Sequence, residues 1–237
     1  MIRRLTVFLV AAALAAGPEI LTAQEAPVRQ ITVQGEGAVD RAPDMAVITL
    51  GVEERAETAS EAMAAASSVT RALIETLDAA GIAERDRQTS RLDLRPVYNR
   101  ASSGSYTDKV VGFVASNELT VRARDLIGLG TLLDQIFDAG ANRFRGLRFD
   151  IDDPSEAMDA ARRAAMADAL ARAELFATAA GVALGDVITI NEHGGSRPVA
   201  APMAEMRMAS DAVPIAAGEV TLRAQVSLVI ELVDAAE

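Results

Sequence analysis

The stretch from Val220 to Leu232 constrains the fold more than any other part of the sequence. Every even-numbered position in it is apolar, and polar residues fill most of the positions between them. Successive side chains of a β-strand point to opposite faces of a sheet, so this period of two predicts a strand with one buried and one solvent-exposed face. The chain must therefore build a sheet that other elements cover on one side.

Further apolar patterns predict strands earlier in the chain. The segment from Met45 to Glu54 has little polar surface, which predicts a central strand covered on both faces. Residues 99–108 are rich in Ser, Gly and Asn and predict the long loop of a hairpin. The remaining predicted strands contain Ile31 and Val33; Leu92, Leu94 and Tyr98; Val111, Phe113, Ala115, Leu119 and Val121; Leu147, Phe149 and Ile151; and Val187 to Ile190.

Three segments have the helical period together with start and stop residues. Thr58 followed by Glu61 predicts a capping box, in which each side chain satisfies a free backbone amide. The longest segment has Asp153 at the N-cap and Pro154 at the first helical position, and its mostly alanine face can approach a sheet closely. The predicted helices span 58–80, 125–139 with Asp125 as cap, and 153–180; Gly81, Gly140 and Gly181 end them, and the last includes Met158, Met166, Leu170 and Phe176 in its apolar stripe.

The order of these elements predicts the fold class. Strand, strand, helix, strand, strand, helix, strand, helix, strand, strand, with hairpin-like links, is typical of an α+β fold with an antiparallel-rich mixed sheet and helices packed on it. Ser60–Met63 resembles Ser155–Met158, and both helices close with Ala-Ala-Gly. Two related halves would explain this similarity. The alternative is a chance likeness between alanine-rich helices.

The N-terminus has the three parts of a secretory signal peptide. Arg3 and Arg4 precede the apolar run Leu5–Ala16, and the segment ends at Ala23 with the small residue that a signal peptidase requires. We expect cleavage after Ala23. A retained anchor is the competing interpretation, but the run is shorter than the roughly 20 residues that span a bilayer.

The composition of the mature chain, residues 24–237, excludes several functions. Half of all residues are apolar, which supports one large packed domain, and no cysteine is present for disulfides, thiol catalysis or thiolate metal sites. Removing residues 1–23 takes away two arginines and one glutamate and leaves a net charge of −12. This charge opposes binding to nucleic acid and to anionic lipid. We expect no stable membrane insertion of the mature chain.

Few residues offer catalytic or metal-binding chemistry. His193 is the only histidine, and no nucleophile motif accompanies it, so we expect a solvated residue at a strand end. Asp150, Asp152 and Asp153 could bind a hard cation, but their spacing fits no calcium loop, and Asp153 is expected to cap a helix. The sequence therefore predicts no catalytic residue, no metal site and no cofactor.

Two further features have competing interpretations. Gly35-Glu36-Gly37 is no dinucleotide-binding loop, because another strand follows it instead of a helix. Residues 194–218 are predicted to form a flexible loop, and Met203, Met206 and Met208 within it could bind Cu(I) or be oxidised. The favoured alternative is that these methionines fill space in a loop that packs on a partner subunit.

Together, several local patterns resemble the SIMPL-domain family, whose bacterial members are exported proteins of unknown biochemical activity. Some members are called oxidative-stress defence proteins and others periplasmic immunogenic proteins. The resemblance covers nearly all of residues 30–233. It is carried by Gly35-Glu36-Gly37 with Pro43-Asp44; Gly112–Asn117 with Leu119, Val121 and Arg124-Asp125-Leu126; Gly140-Ala141-Asn142 with Gly146 and Phe149; and Ala161-Arg162, Ala165, Ala169, Ala173-Glu174, Ala180-Gly181-Val182, Leu184-Gly185, Ile190 and Glu192.

The resemblance implies an α+β fold, a periplasmic address and self-assembly, and it brings no catalytic residues. Arg172 stands where family members often have lysine. The glycines and Asn142 are interpreted as positions of special backbone geometry, because they tolerate left-handed conformations. We therefore expect a non-enzymatic, homo-oligomeric periplasmic protein that contributes to oxidative-stress or envelope tolerance. A binding module for copper, or for a small apolar ligand between the alanine-rich helix and the sheet, is the runner-up; an uncharacterised enzyme is third.

Overall fold

The computed structural model describes residues 29–100, 106–193, 199–200 and 215–235. The predicted signal peptide and the three methionines of the 194–218 segment lie outside these residues. The described elements form two antiparallel sheets with three helices, which confirms the α+β class. They are β1 (Gln30–Arg41), β2 (Met45–Ala56), α1 (Ala59–Ala79), β3 (Arg87–Arg100), β4 (Tyr106–Ala123), α2 (Leu129–Asp138), β5 (Arg143–Asp150), α3 (Ser155–Ala180), β6 (Val182–His193), β7 (Val199–Ala200) and β8 (Val220–Asp234).

The first sheet has the strand order β3-β4-β2-β5, and α1 and α2 cover one of its faces. We call these six elements the β4 unit. β2 is a central strand, as predicted, and its alternate residues enter the main apolar core. Removing this apolar surface from water is the dominant favourable term in folding. The core contains Ile48 and Leu50 of β2, Leu119 and Val121 of β4, Leu73 and Leu77 of α1, and Leu129, Leu132, Leu133 and Ile136 of α2.

The second sheet has the order β1-β8-β6, with β7 also paired to β8, and α3 covers one face; these elements form the β8 unit. The buried face predicted for β8 is confirmed, because Ala224, Val226, Leu228 and Ile230 are buried on the side of α3. The opposite face is only partly exposed, since Thr221 and Ser227 are buried. The buried stripe of α3 consists of alanine at every fourth position: Ala157, Ala161, Ala165, Ala169, Ala173 and Ala177. The predicted inclusion of Leu170 and Phe176 in this stripe was wrong, since both are exposed.

β1 runs without a break through Gly35 and Gly37 to Arg41. Each glycine lies directly beneath α3. A Cβ on Gly35 would overlap the backbone of Ala165 and Ala169, and one on Gly37 would overlap the carbonyl oxygen of Ala161. The glycines therefore set the close approach of the helix to the sheet at these two positions.

The two units share one connectivity. In the β4 unit, the chain runs β2-α1-β3-β4, and β4 inserts between β2 and β3. In the β8 unit, it runs β1-α3-β6-β8, and β8 inserts between β1 and β6. The β4 unit adds α2 and β5, and it is inserted in the sequence between β1 and α3. This common strand–helix–strand–strand order supports the hypothesis of two related halves.

Several predicted boundaries were wrong because tertiary pairing extends the strands. The hairpin of β3 and β4 continues into the predicted loop. Its last backbone pairs are Tyr98 with Val110 and Arg100 with Tyr106. β6 has twelve residues instead of the four predicted, since it pairs along most of β8.

Two helices also begin later than predicted. Asp125 accepts hydrogen bonds from the amides of Ile127 and Gly128 before α2, instead of capping it. α3 begins at Ser155, with Pro154 as N-cap.

The capping box is confirmed. The interpretation as left-handed positions is confirmed for Gly140, Gly146 and Gly181, which have positive φ, and was wrong for Asn142. The amide of Glu61 donates to Thr58 Oγ1, and the amide of Thr58 donates to the Glu61 carboxylate, both at 3.2 Å. No described residue other than glycine has a positive φ. Asn142 instead bonds the backbone of Glu53, accepting from its amide at 2.7 Å and donating to its carbonyl at 3.0 Å.

Candidate functional site

His193 is exposed at the last position of β6, as predicted for a residue at a strand end. It lines a depression of about 330 Å³ on the face of the β8 unit away from α3. The depression is polar, because Glu36, Arg223 and Gln225 also line it. No hydrogen bond joins His193 to another side chain in the described part of the chain. The geometry therefore provides no base–nucleophile pair here.

The three aspartates of the predicted acidic cluster each have a structural partner. Asp150 accepts from the amide of Ile151 at 3.0 Å, and Asp152 forms an ion pair with Arg124. Asp153 accepts from the amide of Ser155 at 3.0 Å and from its hydroxyl at 2.5 Å. These bonds to the Ser155 hydroxyl and amide hold the pKa of Asp153 below its usual value. Within the described residues, no group of three His, Asp or Glu side chains is arranged to hold a metal ion.

Arg124 joins the body of the β4 unit to the segment that leads into α3. Its Nε and Nη2 atoms donate to the buried carboxylate of Asp86 at 3.3 and 3.0 Å, and its third nitrogen pairs with Asp152. The hydrogen bonds from Arg124 lower the pKa of Asp86, and burial opposes this shift. These contacts hold the segment before α3 against the body of the β4 unit.

The face of the β4 unit that points away from its helices has arginine–glutamate pairs. Glu118 is only 7% exposed and accepts from Nε and Nη2 of Arg145 at 2.9 and 2.7 Å. Glu53 is held between Arg95 at 3.1 Å and Arg143 at 2.8 Å. Each of these carboxylates is already compensated by a cation, which is how buried charges are normally satisfied. These ion pairs join strands across the face.

The outer strands of the two sheets differ in whether other residues cover their free edges. An outer strand presents backbone amides and carbonyls without a partner, and proteins usually block such an edge. The edge of β1 is blocked by α3: Asp168 accepts from the amide of Glu36 at 2.9 Å, and Arg172 donates to the carbonyl of Gln34 at 3.0 Å. The edge of β5 is only eight residues long and has a register shift opposite Thr49 and Leu50.

The edge of β3 is not blocked in this way. Leu92 is 60% exposed, and Leu94 and Tyr98 are also exposed. The pairing of Leu92 with Asn117 and of Leu94 with Ala115 places both leucines on the helix-covered side of the sheet. α1 lies over β2 and β4 and barely reaches β3. An apolar stripe therefore runs along this edge without cover from the described residues.

The edge of β6 is the counterpart of β3 in the β8 unit. Ile190 is 57% exposed, and Val187 and Ile188 are exposed beside it. α3 lies mainly over β1 and β8, and its contact with the end of β6 includes the 2.8 Å ion pair of Arg162 with Glu192. Each unit thus leaves the same strand of its shared topology exposed, and both strands carry apolar side chains there.

The sequence match covers both units in one continuous segment. Residues 31–230 match the model of the SIMPL family, described as a protein of unknown function (DUF541). The chain belongs to the SIMPL family.

Individual relatives agree with this assignment. The SIMPL chain is 35% identical over 212 residues to the 26 kDa periplasmic immunogenic protein of Brucella abortus (strain S19), covering 86% of this chain and 84% of the relative. It is 30% identical over 189 residues to the uncharacterized protein YggE of Escherichia coli (strain K12), covering 80% and 75%. Within the described part of the SIMPL chain, no helix is long and apolar enough to cross a membrane.

Sequence reasoning missed the side chains that distinguish the blocked edge from the exposed ones. Asp168 and Arg172 are four residues apart on one helix and form a 2.9 Å ion pair, a spacing that the sequence does display. Their further contact with β1 requires knowing which strand α3 crosses. The exposure of Leu92 and Ile190 likewise depends on how far each helix extends over its sheet.

Proposed function

We propose that this SIMPL protein is exported to the cell envelope and acts there by assembling with itself, without catalysing a reaction. The observation that carries the proposal is the pair of exposed apolar strand edges, β3 and β6, in a chain whose β1 edge is blocked by α3. Exposed apolar surface of this kind marks a contact site in a soluble protein. The polar clusters support the non-enzymatic part, because their carboxylates already have structural partners.

Export is supported by the sequence of residues 1–23 and by the name of the Brucella relatives, which describes them as periplasmic. Cleavage after Ala23 predicts that the protein recovered from the periplasm has the mass of residues 24–237. A mass corresponding to the full chain in the membrane fraction would instead indicate a retained anchor.

Native mass spectrometry of freshly purified mature protein tests the proposal directly, because it reports stoichiometry and retained small molecules together. We expect complexes of several identical chains without a bound ligand. A single chain carrying a stoichiometric small molecule would contradict the proposal and favour the binding-module alternative. The proposed contribution to oxidative-stress or envelope tolerance predicts that a deletion strain is more sensitive to peroxide or detergent.

Copper binding remains the second candidate because of Met203, Met206 and Met208, which lie outside the described residues. Thioether sulfur is a preferred ligand of Cu(I). Titration of Cu(I) into wild-type protein and into a variant with all three methionines changed to leucine separates the two functions. Equal and negligible binding by both proteins would end the copper hypothesis, whereas binding by the wild type alone would support it.

A further inference from the structure

We propose that a depression between β2 and β5, on the face of the β4 unit that points away from its helices, binds a phosphate group. The ligand is inorganic phosphate or a small phosphorylated molecule of the cell envelope. The inference does not depend on self-assembly, because the depression lies between two paired strands and not at the β3 or β6 edge.

This face of the β4 unit is basic, although the mature chain as a whole has a net charge of −12. Alternate residues of β2 from Met45 to Arg55 point to it, together with the residues paired to them in the neighbouring strands. An anion at the surface responds mainly to the charges within about 10 Å, because salt screens those farther away. We call it the arginine face, since its described residues include seven arginines and four carboxylates: Arg55, Arg91, Arg95, Arg122, Arg143, Arg145 and Arg148, with Glu53, Asp93, Glu118 and Asp150.

The depression has a volume of about 270 Å³ and exists because one position in it has no side chain. Gly146 of β5 is paired with Thr49 of β2, and a Cβ on this glycine would meet no atom within 4 Å. The space beside Thr49 is therefore open. Val47 is only 4% exposed, and the full lining is Val47, Thr49, Arg145, Gly146, Leu147 and Arg148.

Two arginines with available guanidinium groups flank the depression. Val47 is paired with Arg122 on one side and with Arg148 on the other. Directly opposite residues have Cβ atoms about 5 Å apart, so both arginine side chains can reach an anion placed over Val47. Arg122 is exposed and has no ion-pair partner within the described part of the chain. Arg148 is 65% exposed, and its 3.4 Å pair with Asp150 is of the surface kind that contributes little.

Two hydroxyl groups add neutral donors to this site. Thr49 is paired with Thr120 in the row next to Val47, and both threonines are half-buried. Neither hydroxyl has a hydrogen-bond partner among the described residues. A phosphate group offers three strong acceptor oxygens and nearly two negative charges, and guanidinium forks match its geometry. The donors therefore suit phosphate, and the volume leaves room for a small group attached to it.

Equilibrium dialysis of the mature chain against radiolabelled inorganic phosphate, at constant ionic strength, tests the site. Binding is measured at equilibrium because the depression is open to solvent, so bound phosphate should be lost during purification. The variant with both Arg122→Gln and Arg148→Gln changes two exposed side chains, and circular dichroism will verify its fold. We expect it to bind phosphate at least about tenfold more weakly than the wild type, because it lacks both charged donors.

The matched control carries Arg55→Gln and Arg91→Gln. These arginines lie on the same face, are exposed and have no ion-pair partner in the described residues, but they do not line the depression. The control loses the same charge and should bind phosphate like the wild type. Equal losses in the two double variants would overturn the site and assign binding to the general charge of the face.

A second measurement distinguishes a small phosphorylated ligand from a lipid headgroup. It is cosedimentation with vesicles of equal parts phosphatidylglycerol and phosphatidylcholine. We expect no cosedimentation, because the net charge of the chain opposes its approach to an anionic bilayer. Vesicle binding that Arg122→Gln with Arg148→Gln abolishes would overturn the small-molecule ligand in favour of a headgroup. A wild type that binds neither phosphate nor vesicles would refute the site, whatever the number of chains in its assembly.

Discussion

Gly37 shows at the scale of one residue how the sequence sets the distance between helix and sheet. A methyl group at this position would overlap the carbonyl oxygen of Ala161, and backbone cannot rotate away as a side chain can. We expect Gly37→Ala to lower the free energy of unfolding by about 1–3 kcal/mol, the usual cost of overpacking a core. Urea denaturation measures the change.

The matched control for Gly37 is Gly185→Ala on β6 of the same unit. A Cβ at Gly185 meets only the side chain of Glu231, which can move aside. A loss in Gly185→Ala as large as that in Gly37→Ala would show that strand glycines act here through chain entropy, and not through close packing against α3.

Asp86 gives the protein a pH dependence of defined sign. Its pKa is lowered in the folded state by hydrogen bonds from Arg124, so its contribution to stability is present above the usual carboxyl pKa and is lost as the pH falls through the folded-state value. Asp86→Asn should cost about 1–2 kcal/mol at neutral pH and much less in acid. Thermal unfolding followed between neutral and acidic pH measures this difference.

Glu84→Gln is the control for Asp86, since Glu84 lies in the same turn and is exposed. It should leave the pH profile of stability unchanged. A profile equally flattened by both substitutions would assign the effect to the net charge of the turn instead of to the Asp86–Arg124 pair.

Individual residues were predictable where their partners are close in sequence. The Thr58–Glu61 capping box needs only a spacing of three residues, and the structure has it. Asn142 was misinterpreted because its partner, the backbone of Glu53, is 89 residues away. Asp125 and Asp153 keep local hydrogen bonds of the expected kind, but the helices begin later than those bonds suggested.

At the scale of elements, α3 both covers a sheet face and blocks a sheet edge. Replacing Asp168 and Arg172 together by alanine removes the side-chain partners of the Glu36 amide and the Gln34 carbonyl. We expect the Glu36 amide to exchange with solvent faster, and the variant to form larger, heterogeneous aggregates through the newly open β1 edge. Hydrogen exchange and light scattering measure the two effects.

A control for the β1 edge is Arg163→Ala, which changes an exposed arginine of the same helix that makes no ion pair in the described part of the chain. It should leave exchange at Glu36 and the size of the protein unchanged. Unaltered exchange in the Asp168 and Arg172 double variant would show that β1 is protected by its neighbours in the sheet alone.

Elements were predictable in kind and order, and less so in extent. The period of two along β8 reflects one buried face and is visible in the sequence itself. β6 looked like a four-residue strand because its outer side chains Ile188 and Ile190 are apolar but exposed, so no clean alternation marks its full length. The alanine stripe of α3 was obscured for a similar reason, since larger apolar residues flank it without entering the core.

At the scale of the whole molecule, the two units repeat one topology, and each leaves the equivalent strand exposed. The sequence suggested the repeat through a four-residue similarity between α1 and α3 and through the Ala-Ala-Gly that ends both segments. It could not reveal the exposed edges, because exposure follows from the placement of each helix over two strands of a three-strand motif. No set of catalytic residues was predicted, and the polar clusters of the described residues are explained by folding.

The most direct measurement is the mass in solution of the mature wild-type chain beside a variant that carries both Leu92→Glu and Ile190→Lys. Multi-angle light scattering across the micromolar range should find the wild type as a multiple of one chain and the double variant as a single folded chain. A wild type that is monomeric throughout, or a double variant of undiminished size, would contradict the view that this protein acts by association through its exposed strand edges.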